Sequence, residues 1–586
     1  MKRTRARELV AKQASAELVP NLSIAESRVR MGDLLVQTGV VTREAVEDAA
    51  GSTKNGERLG ALLIERGLVG ERDVTRALSE QLHVPVVDLR DVRPEEAATA
   101  LLDPADAHRF DMLPLLINDG ALTVAVADPL VAGLIDVLRA LPVAEVRLAL
   151  GPPTLLRNRV NQTYPALSAV STDIDAFRAS DALLDIAEST ETVVDPNAPI
   201  VQVVNKIVTQ ALRDRASDVH IEPAEDCVRI RFRIDGALKD VIELPPEMGP
   251  ALVSRVKIMA EMNIVERRRP QDGQFEMNID GCDLDVRVST TTTIWGEKTV
   301  LRLLDRTRSL YRLADLGMPA EAGALYSSIV SSPFGMVIVG GPTGSGKTTT
   351  LYATLSEINR TDINVMTIED PVEYIFPRIN QIQISDQAGL TFATGLKSIL
   401  RQDPDVILVG EVRDVETARI AVQSALTGHR VFSSVHAIDA VSSLYRLLDM
   451  GIEPFLITSA IIGVVAQRLV RRICKSCGVT YEPTMAVLTI YRKLGGQEKE
   501  VWLRGEGCQY CSGTGYFDRV GVYEVLAITD ELRQCVVEGK TPREARDLAI
   551  EQGLHTLQYE AIQLVQANVT TMEEVVKHVL VNEGLE

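Results

Sequence analysis

The chain has 586 residues, and its 62 Lys and Arg are outnumbered by 81 Asp and Glu, for a formal net charge of −19. That length allows about three to five domains. So acidic a chain is not built to coat nucleic acid, it has no apolar run near the ~18–20 residues that cross a bilayer, and its basic start lacks the apolar stretch of a secretory signal. The reading is a cytosolic protein with no membrane segment of its own. Residues 1–27 are polar and charged and read as a frayed tail.

An internal repeat follows. RMGDLLVQTGVVTREAVEDAAGST begins at Arg30 and RLGALLIERGLVGERDVTRALSEQ at Arg58, aligned without a gap. Each copy reads as a helix, a Gly turn and a second helix. Residues 84–165 alternate short apolar stretches with turns and complete an N-terminal domain spanning 28–165. Residues 166–197, rich in Ser, Thr, Asp and Ala, read as a linker. A compact α+β unit spans 198–308, with a helix from Pro199 and strands such as CVRIRFRIDG and KTVLRLLD. Residues 309–470 show strands each followed by a helix, the sign of a parallel sheet. A cysteine-bearing segment spans 471–515, and the remaining residues to 586 read as helical.

The third unit holds a phosphate loop. In MVIVGGPTGSGKTTTLYATL, an apolar strand precedes Gly341, Pro342, Thr343, Gly344, Ser345 and Gly346, and a helix starts at Lys347. Glycines let backbone N–H groups curl around phosphates, and the helix N-terminus adds partial positive charge. Lys347 is expected to reach the β- and γ-phosphates, Thr348 to ligate Mg²⁺, and Thr349 to lie beside it. Two acidic clusters follow at strand ends: Glu369, Asp370 and Glu373 in NVMTIEDPVEY, and Glu411 in DPDVILVGEVRD. A nucleotide site needs one acid for Mg²⁺ and one to orient water. His429 and His436 flank a short strand in TGHRVFSSVHAIDA and are candidates to bond phosphate oxygens or those acids.

Seven cysteines are present. Cys474/Cys477 and Cys508/Cys511 form two C-x-x-C knuckles, a spacing that suits tetrahedral, structural Zn²⁺ in a reducing compartment. Arg468, Arg471, Arg472 and Lys475 beside the first knuckle are either a partner-facing patch or solvated charge.

GPTGSGKTT, TIEDPVEY, RQDPDVILVGEVRDVETA and TGHRVFSSVHAIDA together resemble the secretion ATPase superfamily. More narrowly, the chain is similar to the assembly ATPases of type IV pili and type II secretion systems, which also carry the tetracysteine segment. SDVHIEP, RFRIDG, RRRPQDGQF and STTTTIWGEKTVLRLL match the domain that precedes the motor in that family. The resemblance implies a multidomain α/β and α+β chain: a RecA-like motor with a parallel sheet, an α+β (PAS-like) middle domain, and an N-terminal helical-repeat plus α/β domain. In RecA-like sheets the base precedes the metal-holding strand, which makes Glu369 the base and Glu411 the Mg²⁺ holder through water; the reverse assignment stays open.

The same resemblance implies a cytoplasmic homohexamer that hydrolyses ATP. Each nucleotide would lie between one motor and an arginine-bearing middle domain, with Arg287 and Arg302 the best match. Arg231, Arg233 and the Arg267–Arg269 run are further candidates. The motor would drive an inner-membrane platform protein that extracts pilin subunits, or pseudopilins in type II secretion. A DNA-uptake or conjugation motor, and a non-enzymatic nucleotide-binding adaptor, are the remaining alternatives; no nucleic-acid partner is expected. The repeat resembles a domain that in some members binds cyclic di-GMP. The second copy has the expected Arg58, Leu59, Gly60 and Gln81, while the first carries Met31 for Leu and Thr53 for Gln. A docking module for a platform protein is the competing reading of the repeat.

Overall fold

The computed structural model describes residues 29–51, 58–89, 92, 94–179, 198–305, 312–385, 388–508 and 510–580; the expected tail, Thr53 of the first repeat and residues 180–197 of the expected linker lie outside them. Two units are distinct, Met1–Leu303 and Leu304–Glu586.

In the first unit the sequence repeat becomes a structural one. Helices Met31–Gln37 and Arg43–Gly51 form one copy, and Leu59–Glu65 and Glu71–Leu82 the other. Apolar residues three and four apart give a shared core of Leu35, Val41, Ala49, Leu63, Val69, Val74 and Ala77. The repeated glycines explain the close fit. A Cβ on Gly32 would lie 2.8 Å from Val46, and one on Gly60 would lie 2.9 Å from Val74, so each copy's second helix needs a glycine to close in. Met31 packs on Gly60 and Leu59 on Gly32, so methionine fills the place of the expected leucine.

Strands β1 (Met112–Asn118), β2 (Ala121–Val126) and β3 (Glu145–Leu150) follow as a small sheet, β1 antiparallel and β3 parallel to β2. The expected linker is corrected over its first part. Residues 166–169 form a 3-10 turn and Val170–Ala179 a helix. Val170 and Phe177 are buried in the next domain's core with Ile174 packed against it. This helical spacing is masked in the sequence by the Ser and Asp between.

The next sheet has six strands: β4 (Ala216–Pro223), β5 (Val228–Ile234), β6 (Ala237–Leu244), β7 (Gln271–Ile279), β8 (Cys282–Thr293) and β9 (Gly296–Asp305), in the order β6-β5-β4-β9-β8-β7. Period-2 alternation divides its faces. Val219, Ile221, Ile230, Phe232 and Leu301 join the core with helices Pro199–Arg213 and Gly249–Met259. Asp218, His220, Glu222, Arg231, Arg233, Lys298 and Arg302 take the alternate positions.

The second unit is built on β10 (Gly335–Gly340), β11 (Val365–Glu369), β12 (Ile379–Gln383), β13 (Val406–Val409), β14 (Arg430–Val435) and β15 (Ile461–Ile473). A small hairpin-like pair, β16 (Gly478–Thr480) and β17 (Leu503–Gly505), precedes β18 (Tyr516–Ala527). The main sheet runs β12-β11-β13-β14-β10-β15-β18, parallel as far as β15. β10 and β13 are buried along their whole length, which is why their sequences are unbroken apolar runs. This is the RecA-like motor sheet.

Two expectations are corrected here. The region 516–586 is not all helical: YFDRVGVYEVLA forms β18, rich in β-branched and aromatic residues, and pairs antiparallel with β15. The boundary between 470 and 471 falls inside β15, because that strand runs on from the motor core to the first knuckle.

Candidate functional site

The parallel register brings several strand ends to one edge. Gly340 on β10 pairs with Val435 on β14, and Ile368 on β11 with Val409 on β13. The phosphate loop, Glu369, Glu411 and His436 each follow or close one of these strands. They therefore gather at the carboxyl edge, where open α/β sheets bind ligands.

The loop turns from β10 into helix Lys347–Ile358, whose N-cap, Gly346, has φ +89°. That left-handed value suits glycine, and a Cβ there would lie 3.0 Å from the Gln467 side chain. Lys347 Nζ donates to the carbonyls of Gly341 (2.8 Å) and Pro342 (3.1 Å). Burial lowers its pKa, the charge of Glu411 opposes that shift, and Arg468 adds to it. The hydroxyl of Ser345 is buried with no hydrogen-bond partner in the protein. A buried orphan hydroxyl, a glycine-lined turn and a helix N-terminus are what a phosphate group would satisfy. Thr348 and Thr349, in the first turn, are exposed.

Glu369 is 3% exposed at the end of β11. Its carboxylate accepts from the phenol of Tyr352, from Thr367 Oγ1 at 2.5 Å and from Gln381 Nε2 at 3.3 Å. Burial, and then the Glu369 charge, push the Tyr352 phenol upward. Glu411 is held from the other side: Arg413 meets it at 2.5 Å and His436 Nε2 at 3.6 Å. Glu369 closes β11 and Glu411 follows the adjacent β13, with Gly410 close against Glu369: a Cβ there would lie 3.3 Å from the Glu369 Cα. Such a pair, one carboxylate locked and one beside the lysine, can divide water activation from metal holding.

His429 does not join this group. It precedes β14 at the amino edge of the sheet, where its carbonyl accepts from Gly335 N and its Nδ1 lies 2.9 Å from the Ser424 carbonyl. The six-residue strand β14 separates it from His436, a span of seven residue steps or roughly 23 Å at ~3.3 Å per residue. The flanking positions that made the two histidines look equivalent put them at opposite ends.

In the first unit, Arg302 donates to Asp218 at 3.2 Å, with its side chain 59% exposed. Arg233 approaches the same aspartate, and Arg231 and Lys298 both meet Glu222. Arg287 is half-buried opposite Gln274. The carbonyl of Arg267 accepts from Thr292, and Arg268 lies 3.8 Å from Glu266. Arg58 ion-pairs with Asp128 and donates to the Leu130 carbonyl at 2.6 Å. Gln81 is half-buried in helix Glu71–Leu82.

The four knuckle cysteines converge. Their sulfurs all lie within 4.8 Å of one another, with Cys474–Cys508, Cys477–Cys511 and Cys508–Cys511 at 3.8 Å. A tetrahedron of thiolates at ~2.3 Å from zinc has edges of ~3.8 Å, so these residues fit that ion. Burial pushes the Cys474 thiol up to about 11. Burial also acts to raise Cys511, but N–H groups of Cys508 and Gly515 aimed at its sulfur bring it down to about 7. The neighbouring arginines are largely spoken for. Arg468 is buried and donates to the carbonyls of Gln467 and Ile438, and Arg471 pairs with Glu574 and covers the Tyr516 ring.

Tyr352, Thr367, Gln381, Arg413 and Gln467 were missed by sequence reasoning. Each lies outside a contiguous motif position with a stated role, and only the fold brings it to the acids or the loop.

A family model described as type II/IV secretion system protein matches residues 194–577, and one described as MshEN domain matches residues 82–170. The chain is 37% identical to the type IV pilus assembly ATPase PilB of Myxococcus xanthus over 572 residues, covering 93% of this chain and 98% of that protein. It is 38% identical to the protein of the same name from Thermus thermophilus, covering 93% of this chain but only 65% of that longer relative. It is also 38% identical to the type II secretion system protein E of Xanthomonas campestris pv. campestris, over 89% of this chain and 93% of that protein.

Proposed function

This chain belongs to the type II/IV secretion system protein family, and from that premise we propose that it is an ATPase driving assembly of a type IV pilus. The observation that carries the reading is the gathering of Lys347, Glu369 and Glu411 at one edge of a parallel sheet. The loop from Gly341 to Gly346 and Lys347 bind the triphosphate. Glu369 accepts a proton from the attacking water, and its three side-chain partners hold it in place for that. Thr348 and Glu411 would hold Mg²⁺, which neutralises charge on the phosphates.

Six copies form a ring, and Arg287 and Arg302, with Arg231, Arg233 and Arg267–Arg269 in reserve, reach the nucleotide held by a motor domain of that ring. A planar guanidinium suits that task because its donors pair with phosphate oxygens as charge develops. The ring works in the cytoplasm against an inner-membrane platform protein; no described helix is long and apolar enough to cross a membrane itself. Zinc on Cys474, Cys477, Cys508 and Cys511 is structural.

Arg58 and Gln81 bind cyclic di-GMP, a reading supported by the adjoining MshEN match. The ligand would take over the donors that Arg58 now gives to Asp128 and Leu130. The competing role, a docking module, is favoured by Thr53 standing where the first copy's Gln is expected. A type II secretion motor is the second reading of the whole chain, favoured by the similarly close relatives that carry that name. The test of the enzyme is phosphate release by the purified chain and by Lys347→Ala. Release should fall by about 100-fold or more in the variant. Equal rates would end the reading.

A further inference from the structure

A glutamine far along the chain braces the phosphate loop from behind. Gln467 lies on β15, one residue past Ala466, which pairs with Gly340 at the end of β10. It is 1% exposed. Its Nε2 donates to the Ser345 carbonyl at 2.7 Å, and its Oε1 accepts from Thr350 Oγ1 at 2.8 Å. One amide thus ties the loop to the first helical turn beyond it. The Ser345 carbonyl decides which end of the amide faces it, since a carbonyl can only accept; the amide oxygen is thereby left to accept from the Thr350 hydroxyl.

The peptide between Ser345 and Gly346 is planar and trans, so its C=O and N–H point in opposite directions. Holding the Ser345 carbonyl against β15 therefore turns the Gly346 N–H away from β15. A glycine at φ +89° has no side chain to fix that peptide, and an external brace supplies what the residue itself cannot. A flexible loop that must be ordered by its ligand spends part of the binding energy on ordering; a loop already held does not.

We infer that Gln467 is a positioning residue for nucleotide binding, fixing the Ser345–Gly346 peptide so that its N–H faces the phosphates. The inference rests on the nucleotide-binding reading above and adds the residue that pre-shapes its loop. It acts on affinity, not on bond breaking, because the amide touches the loop from the side opposite the substrate.

The test uses the full-length chain with Gln467→Leu, Gln467→Glu and Thr350→Val. The readouts are titration with fluorescently labelled ADP, ATP turnover and thermal unfolding without nucleotide. Gln467→Leu should raise the ADP Kd and the ATP KM by about tenfold, the weight of one buried hydrogen bond, with kcat changed by less than about threefold. Gln467→Glu keeps the acceptor for Thr350 but loses the donor to Ser345, and should bind at least as weakly. Thr350→Val should lie between wild type and Gln467→Leu. A variant that melts earlier yet binds nucleotide as wild type does would show a merely structural residue and overturn the inference. Should Gln467→Leu fail to fold, unchanged affinity in Thr350→Val would overturn it equally. A wild-type chain that binds no nucleotide would sink the earlier reading and this one together. A wild type that binds and turns over ATP beside an unaffected Gln467→Leu would sink this one alone.

Discussion

The phenol of Tyr352 donates to the carboxylate of Glu369, joining the helix that begins at Lys347 to the acid at the end of β11. A movement of the phosphate-loop helix is thereby felt at the acid. If Glu369 is the base, Glu369→Gln should bind MgATP as wild type does and lose about 100-fold or more in kcat. Tyr352→Phe should lose about tenfold, since it removes one hydrogen bond to a charged group. Glu411→Gln should raise the magnesium concentration needed for half-maximal turnover. Steady-state phosphate release against magnesium concentration checks all three, and the opposite pattern in the two acids would exchange their roles.

The cysteine cluster should carry about one zinc per chain by elemental analysis, the stoichiometry of a four-thiolate site. Cys508→Ser should lose that metal, and its unfolding midpoint should fall by about 5–10 °C. Metal content well below one per chain in the wild type would remove zinc from the account.

Glu574 supplies a pH signature. Its side chain is 2% exposed and meets Arg471 at 2.6 Å. Burial acts to raise its pKa, but the hydrogen bond and charge of Arg471 prevail and hold it below the ordinary 4.5. A depressed folded-state value means the stabilisation is present above the ordinary carboxylate range. It is lost as pH falls through the folded value. Glu574→Gln should cost about 3 kcal/mol at pH 7, as breaking a buried pair does. The gap between wild type and variant in denaturant unfolding should narrow at pH values below that range. A gap constant from pH 7 to strongly acidic conditions would show that the ionised pair is not its source.

For the repeat, Arg58→Ala should abolish saturable binding of labelled cyclic di-GMP while leaving ATP turnover in place. Titration by fluorescence polarisation reads this out. Absence of saturable binding to the wild type would leave the docking role.

What the sequence disclosed, and what it hid, follows the range of the interactions. Gly341 to Thr349 and the two cysteine pairs are contiguous motifs whose spacing is itself the geometry, so their positions needed no fold. Glu369 and Glu411 were legible because each ends an apolar run, and parallel pairing then sets those ends side by side. The partners of Glu369 were not legible: Tyr352, Thr367 and Gln381 come from three elements, and their convergence depends on sheet order. His429 misled because proximity in sequence across a strand is distance in space. The helix Val170–Ala179 was hidden by its Ser171, Asp173 and Asp175, which resemble a linker once the spacing of Val170, Ile174 and Phe177 is overlooked. All of β18 falls in the stretch that reads as a helical tail, because an apolar run beside Gly-rich turns says little about which strand it will join.

The sheet order also dictates a schedule of synthesis. β15 leaves the ribosome well before β18, and the whole cysteine segment lies between them. At ~5–20 residues per second that interval is about 2–8 s, during which the β15 edge awaits its antiparallel neighbour. An unpaired edge invites wrong partners, and a long intervening loop makes the right one slower to find. Drawing Cys474 and Cys508 together shortens the effective loop just as β18 emerges. If zinc holds that pair as proposed, a shortage of metal would show first in newly made chains that aggregate.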